Sequence, residues 1–249
     1  MSDIEIARAG AVLSTAFARP EKKNAITRAM YETLIEALEA AERDREIGAF
    51  VLSGQGGVFT AGNDIGDFLA LAARGPADFP AWRFVSRLAS FEKPLIAAVD
   101  GIAIGVGTTL LFHCDLVYAT PVARFQMPFV DLGLVPEAGA SLLAPARFGR
   151  ARAAEFLLLA EPFGAEEALR LGLVNALLPQ AELLPHALKK AAALAAKPRA
   201  ALLATRRLLR GDPEPLKARM AEETRAFTAA LKSPEAHAAF EAFLAGGRK

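Results

Sequence analysis

The chain has 249 residues, 53% of them hydrophobic and 23% charged, with a formal net charge of +1. That length accommodates one large domain with a substantial core, and the composition excludes a disordered polymer. The near-neutral charge leaves no basic field for nucleic acid or an anionic membrane, and the single cysteine, Cys114, excludes an internal disulfide and suits a reducing compartment.

Along the chain, Met1 to Glu5 has neither a basic start nor an apolar core, so no signal peptide is expected and a cytoplasmic enzyme is. Residues 4–8 and 12–17 read as strands around the Ala9-Gly10 break. Thr27 is placed to cap a helix with Met30, Leu34, Ile35 and Leu38 on one face. Residues 49–52 read as a buried strand, and 66–90 carry helical spacing broken near Gly75-Pro76 and Pro80. Residues 94–99, 116–119 and 124–126 read as strands, with a helix over 108–113. Beyond about residue 145 the pattern turns helical, over 151–159, 165–171, 183–196, 198–210 and 214–244, the last broken near Ser233-Pro234. Alternating strands and helices predict an α/β fold. No uncharged apolar run reaches membrane-spanning length.

Three segments carry residue types suited to chemistry. In Phe59-Thr60-Ala61-Gly62-Asn63-Asp64-Ile65, small residues lie between a strand and a helix, a turn able to aim backbone N–H groups into a cavity. Taken alone it reads more simply as a connection with Asp64 as the helix cap. Gly101-Ile102-Ala103-Ile104-Gly105-Val106-Gly107 lets backbone approach a ligand closely and frees an N–H. Its spacing is neither a dinucleotide fingerprint nor a phosphate loop, and close packing of helix on sheet explains it equally well. In the third segment, 128–140, Glu137 sits among apolar and small residues ahead of a helix. An apolar site raises a carboxylate's pKa and makes it a better base. A first-turn glutamate on the helix dipole is the equal alternative.

Other groups carry less. His113-Cys114-Asp115 are adjacent on one element and do not converge, so no metal site is expected. His186 and His237 read as surface residues, and Ser141 lacks a nucleophile-elbow context. Arg199, Arg206, Arg207 and Arg210 form a helical stripe, read as a solvated face with phosphate contact as the alternative.

Together and in this order, the segments resemble the enoyl-CoA hydratase/isomerase (crotonase) superfamily. The resemblance begins at Arg19-Pro20-Glu21-Lys22-Lys23-Asn24-Ala25, runs through 59–65, 93–115 and 132–139, and continues to Ala168-Leu169-Arg170-Leu171-Gly172-Leu173-Val174. It implies a spiral of β-β-α units over residues 1–196. A helical C-terminal region over 197–249 would pack on the core and on neighbouring subunits. It implies a homotrimer or dimer of trimers and an acyl-CoA substrate, with no nucleic acid, no membrane, no metal and no cofactor beyond the coenzyme A of the substrate. By motif position, the backbone N–H groups of Asn63 and Val106 would hold the thioester oxygen, with Gly105 beside them. Lys23, Ala25, Ala61, Asp64 and Ile65 would border adenine and pantetheine, and Phe227 with the nearby C-terminal helix would help close the CoA site, its own or that of a neighbouring subunit.

The resemblance also speaks to the reaction. Hydratases of this type use two glutamates, and here the matching positions hold Thr109 and Phe129. Leu132-Gly133-Leu134-Val135-Pro136-Glu137 instead resembles the Δ3-Δ2-enoyl-CoA isomerase branch, which uses one glutamate. The expectation is an isomerase with Glu137 as proton carrier and an apolar pocket around Phe129. Ring-opening isomerisation, weak hydration and silent acyl-CoA binding remain as alternatives.

Overall fold

The computed structural model describes residues 3–67 and 79–246, so the break expected near Gly75-Pro76 lies outside the described residues. Strands β1 (Ile4–Ala9) and β2 (Val12–Phe17) form an antiparallel hairpin turned at Gly10, whose φ is +58°. β2 runs parallel to β3 (Ala49–Gly54), β3 to β4 (Leu95–Val99), and β4 to β6 (Leu116–Ala119). A two-residue strand, β9 (Ala176–Leu177), closes the six-stranded sheet beside β6. Every residue of β4 is buried, as expected of a parallel strand covered on both faces.

A second, three-stranded sheet joins β5 (Ile102–Ile104), β7 (Arg124–Gln126) and β8 (Phe163–Gly164). The chain therefore spirals. β4 lies in the large sheet, β5 in the small one, and a helix follows; β6 and β7 repeat the step. In the turn before, Thr60 pairs with Ala103 as a single bridge at the small sheet. The sharp corner between the sheets after β4 is made by Gly101, with φ +63°. A Cβ there would lie 2.1 Å from the Gly57 carbonyl oxygen. Gly101→Ala is therefore expected to destabilise the protein by about 3 kcal/mol, measured as a lower urea midpoint with an unchanged m-value.

Helix α1 (Arg28–Arg43) starts where Thr27 Oγ1 accepts the Met30 N–H at 3.3 Å, and it buries Met30, Tyr31, Leu34, Ile35 and Leu38. At its other end buried Lys93 donates to the Ala41, Asp44 and Ile47 carbonyls. Helix α2 (Pro80–Ser90) begins at the proline expected to break it, because a first-turn N–H has no partner within the helix and proline's lack of one costs nothing there. The helix expected over 108–113 starts earlier, as α3 (Val106–Thr109), and tightens into a 3-10 turn at Leu110–His113. Next come α4 (Ala140–Phe148), α5 (Arg150–Leu158), α6 (Ala165–Arg170) and α7 (Gln180–Ala195). Leu183, Ala187 and Ala191 of α7 cover the large sheet. The expected boundary at 196/197 falls between α7 and α8 (Arg199–Arg210). The helical stretch over 214–244 breaks near Ser233-Pro234 as expected, into α9 (Glu214–Ala230) and α10 (Pro234–Gly246).

The arginine stripe is only in part the solvated face expected of it: Arg199 and Arg207 are exposed, while Arg206 turns into the core and Arg210 reaches a backbone carbonyl. Arg206 is 7% exposed, its Nε meets both Asp115 oxygens at 2.9 and 2.7 Å, and its Nη1 donates to the Phe91 carbonyl at 2.6 Å. Arg210 donates to the His113 carbonyl at 2.5 Å. Carboxylate and carbonyl partners offset the cost of burying these guanidinium groups, so α8 is bound to the core through charge. Among the described residues no helix is long and apolar enough to cross a membrane.

Candidate active site

Two backbone turns lie side by side where the spiral passes from large sheet to small. Thr60 N–H donates to the Ile102 carbonyl and Ile104 N–H to the Thr60 carbonyl, both at 3.0 Å. Gly62, with φ +86°, presses so closely on the other turn that a Cβ would lie 2.7 Å from the Ile104 oxygen. Gly105, at φ +56° and ψ −120°, faces open space instead, with nothing within 4 Å of an added Cβ.

The pairing of these turns leaves two N–H groups over. Ile26 N–H donates to the Gly62 carbonyl and Asp64 N–H to the Ile26 carbonyl, at 2.8 and 3.0 Å, which skips Asn63 between them. Val106 is the first residue of α3, where an amide has no partner within the helix. Among the described residues neither the Asn63 nor the Val106 N–H makes a hydrogen bond within the chain. The Asn63 side chain is fixed from α1, its Oδ1 accepting the Tyr31 hydroxyl at 2.6 Å.

The acid lies one helical turn from Val106. Thr109 Oγ1 donates to Glu137 Oε1, and residues three apart share a helix face. Glu137 is 5% exposed. Burial pushes its carboxyl up to about 8; the Thr109 hydrogen bond opposes that shift and the nearby Glu223 charge adds to it. It precedes the helix rather than standing in its first turn. The backbone passes through left-handed Ala138 and Gly139, at φ +59° and +74°, before α4 begins. Tyr31 is raised well above the usual phenol range, by burial and then by the Glu137 charge, which places Tyr31, Asn63 and Glu137 in one neighbourhood.

Two buried ionisable groups grip the loop after Glu137. His113 Nε2 meets the Ala138 carbonyl at 2.8 Å, and burial lowers its pKa to about 4, so a neutral ring donates there near pH 7. Glu223, from α9, accepts the N–H of Gly139 at 2.6 Å and of Ser141 at 2.9 Å, and the Ser141 hydroxyl at 2.6 Å. The sequence reading missed Glu223. Its signal was present in Met220, Glu223 and Phe227, a buried stripe at helical spacing with a carboxylate inside it. Cys114 is buried and Asp115 takes the Leu95 N–H and Arg206, so the three adjacent residues diverge as expected. Among the described residues no cluster suits a metal.

The other named positions form two groups. Ala61 N–H donates to the Lys23 carbonyl at 2.9 Å, which sets exposed Lys23 and half-buried Ala25 beside Ala61. Asp64 is occupied structurally: it takes Arg19 at 2.8 Å and the Asp67 N–H at 3.2 Å, while half-buried Ile65 packs on the core. Phe129 is 6% exposed and belongs to the main core. Phe227 is 2% exposed and meets Trp82 of its own chain edge-on, with centroids 4.9 Å apart. Trp82, Ala138, Leu216 and Met220 line a cavity of about 1060 Å³ between α2, α8 and α9.

A family model described as enoyl-CoA hydratase/isomerase matches residues 7–247. The 2,3-dehydroadipyl-CoA hydratase of Escherichia coli (strain K12) is 34% identical over 245 residues, covering 98% of this chain and 96% of that protein. Enoyl-CoA delta isomerase 2 of Rattus norvegicus is 39% identical over 176 residues, covering 69% of this chain and 45% of that one. Among solved structures, that of Pseudomonas aeruginosa OdaA has a TM-score of 0.92 and 43% identity, covering 98% of this chain and 99% of that chain.

Proposed function

The chain belongs to the enoyl-CoA hydratase/isomerase family, and from that premise we propose that it moves a double bond in an acyl-CoA, from Δ3 to Δ2, with Glu137 as its only proton carrier. The observation that carries this reading is the pairing of Glu137 with Thr109. Thr109 holds the position where a two-glutamate hydratase has a carboxylate, and its hydroxyl is spent on the remaining acid. One buried carboxylate suits proton transfer between two carbons of one substrate, whereas hydration also needs a positioned water.

In this reading the thioester oxygen sits between the Asn63 and Val106 N–H groups. Ionised Glu137 removes a proton from C2, breaking that C–H bond. The electron pair moves into a dienolate whose oxygen the two amides stabilise as its charge grows. Glu137 then gives the proton to C4, the electrons return, and the 2,3 double bond remains. Coenzyme A is part of the substrate, and the balance of this step requires no further cofactor. In this reading an apolar surround, with Phe129 buried in the same core, would keep water from the dienolate.

The test compares trans-3-hexenoyl-CoA with trans-2-hexenoyl-CoA plus water. Conversion of the 3-enoyl substrate is expected to dominate. Because the base must be ionised, kcat/KM is expected to rise with pH and reach half its maximum near pH 8. The near full-length similarity to a hydratase favours hydration as the second reading. Hydration of the 2-enoyl substrate without 3-to-2 conversion would replace the proposal by that reading. Binding without either reaction would replace it by silent acyl-CoA binding.

A further inference from the structure

The loop that carries Glu137 has no cap of its own. Gly139 stands at the N-cap of α4 with no side chain to accept the orphan N–H groups that open a helix. The acceptor arrives instead from 84 positions along the chain: Glu223 Oε2 takes the Gly139 N–H, and Oε1 takes both the N–H and the hydroxyl of Ser141. Glu223 is itself 5% exposed. Burial raises its carboxyl above the usual range, while the bonds it accepts from Ser141 and Gly139 and the nearby Arg219 charge favour the ionised form.

We propose that Glu223 is a positioning residue for Glu137: it fixes the 137–141 loop through three hydrogen bonds and sets a second negative charge behind the base. The proposal rests on the reading of Glu137 as the proton carrier. Groups facing the pair come from four elements. Tyr31 stands on α1 and Thr109 on α3, and His113 on the following turn holds the Ala138 carbonyl. Arg219 on α9 reaches Ser141 Oγ at 3.4 Å and pairs with Glu222 at 3.3 Å. Glu223 is the only one of these whose negative charge bears on Glu137, and it raises that carboxyl's proton affinity. A side chain that merely caps α4 would affect stability and turnover. A charge felt at Glu137 also changes where Glu137 titrates.

The experiment uses Glu223→Gln and Glu223→Asp in the full chain. The Glu137 carboxyl is followed by 13C NMR of glutamate-labelled protein, with Glu137→Gln identifying its resonance, and turnover is measured on trans-3-hexenoyl-CoA. In Glu223→Gln the Glu137 midpoint is expected to move down from about 8, and kcat to fall about tenfold with little change in KM. Glu223→Asp keeps the charge on a shorter arm, so kcat is expected to fall by a similar factor while the midpoint stays. An unmoved midpoint in Glu223→Gln overturns the proposal. If that variant fails to fold, Glu223→Asp decides, and wild-type kcat in it overturns the proposal. The titration does not depend on turnover, so full activity in Glu137→Gln sinks the base reading separately.

Discussion

Glu137→Gln is expected to lose 3-to-2 isomerisation by about 10³-fold while folding normally. Glutamine has nearly the same shape, and its carbonyl can still accept the Thr109 hydroxyl, so what disappears is the ability to carry a proton. The same change is expected to stabilise the protein, in a pH-dependent way. The carboxyl titrates near 4.5 in the unfolded chain and near 8 in the folded one. The folded state therefore holds its proton more tightly between those values. Stability linked to this group is fully present below about pH 4.5 and is lost as pH rises through about 8. Glutamine escapes that loss. Its melting temperature is expected to match wild type at pH 4.5 and to exceed it at pH 9, by the equivalent of a few kcal/mol as an order of magnitude. Lower activity with higher stability is the signature of a group kept for chemistry. Full activity in the variant would show that the base lies elsewhere.

Val106→Pro addresses the other half of the site. Proline lacks the N–H proposed to grip the thioester oxygen, and the first position of a helix is where that loss is least disruptive. The preceding Gly105, at φ +56° and ψ −120°, has no Cβ to clash with the ring. The variant is expected to fold, to keep the Glu137 titration, and to lose about 10²- to 10³-fold in kcat, the cost of one oxyanion donor. Retention of wild-type kcat would remove Val106 N–H from the mechanism. Val106→Ala keeps the amide and serves as the control, with turnover close to wild type.

Much of this was legible in the sequence. The continuous apolar run of β4 and the face of α1 announced themselves by periodicity, and glycines 62 and 105 marked the two turns by residue type. What escaped depended on distant packing. β8 and β9 have two residues each, too few for any alternation. Arg206 resembles a surface arginine until Asp115, 91 positions away, is folded beside it. Tyr31 is not among the residues the sequence singles out, and only the fold brings its hydroxyl to Asn63. Thr109 stands in the sequence where a carboxylate is missing, but its bond to Glu137 leaves no local trace.

The two turns around Gly62 and Gly105 are braced against each other inside the spiral, by backbone contacts made before the chain reaches its last helices. The Glu137 loop is tethered differently: α9 holds it through Glu223, and α8 holds the strut beneath it through Arg210 and the His113 carbonyl. On the proposed reading, the carbonyl grip would belong to that braced frame, and proton delivery to an arm anchored by α8 and α9. Drift in the C-terminal helices can retune that arm while the frame stays constant. If the proposed reaction holds, such a scaffold could change which carbon receives the proton without rebuilding its hold on the thioester.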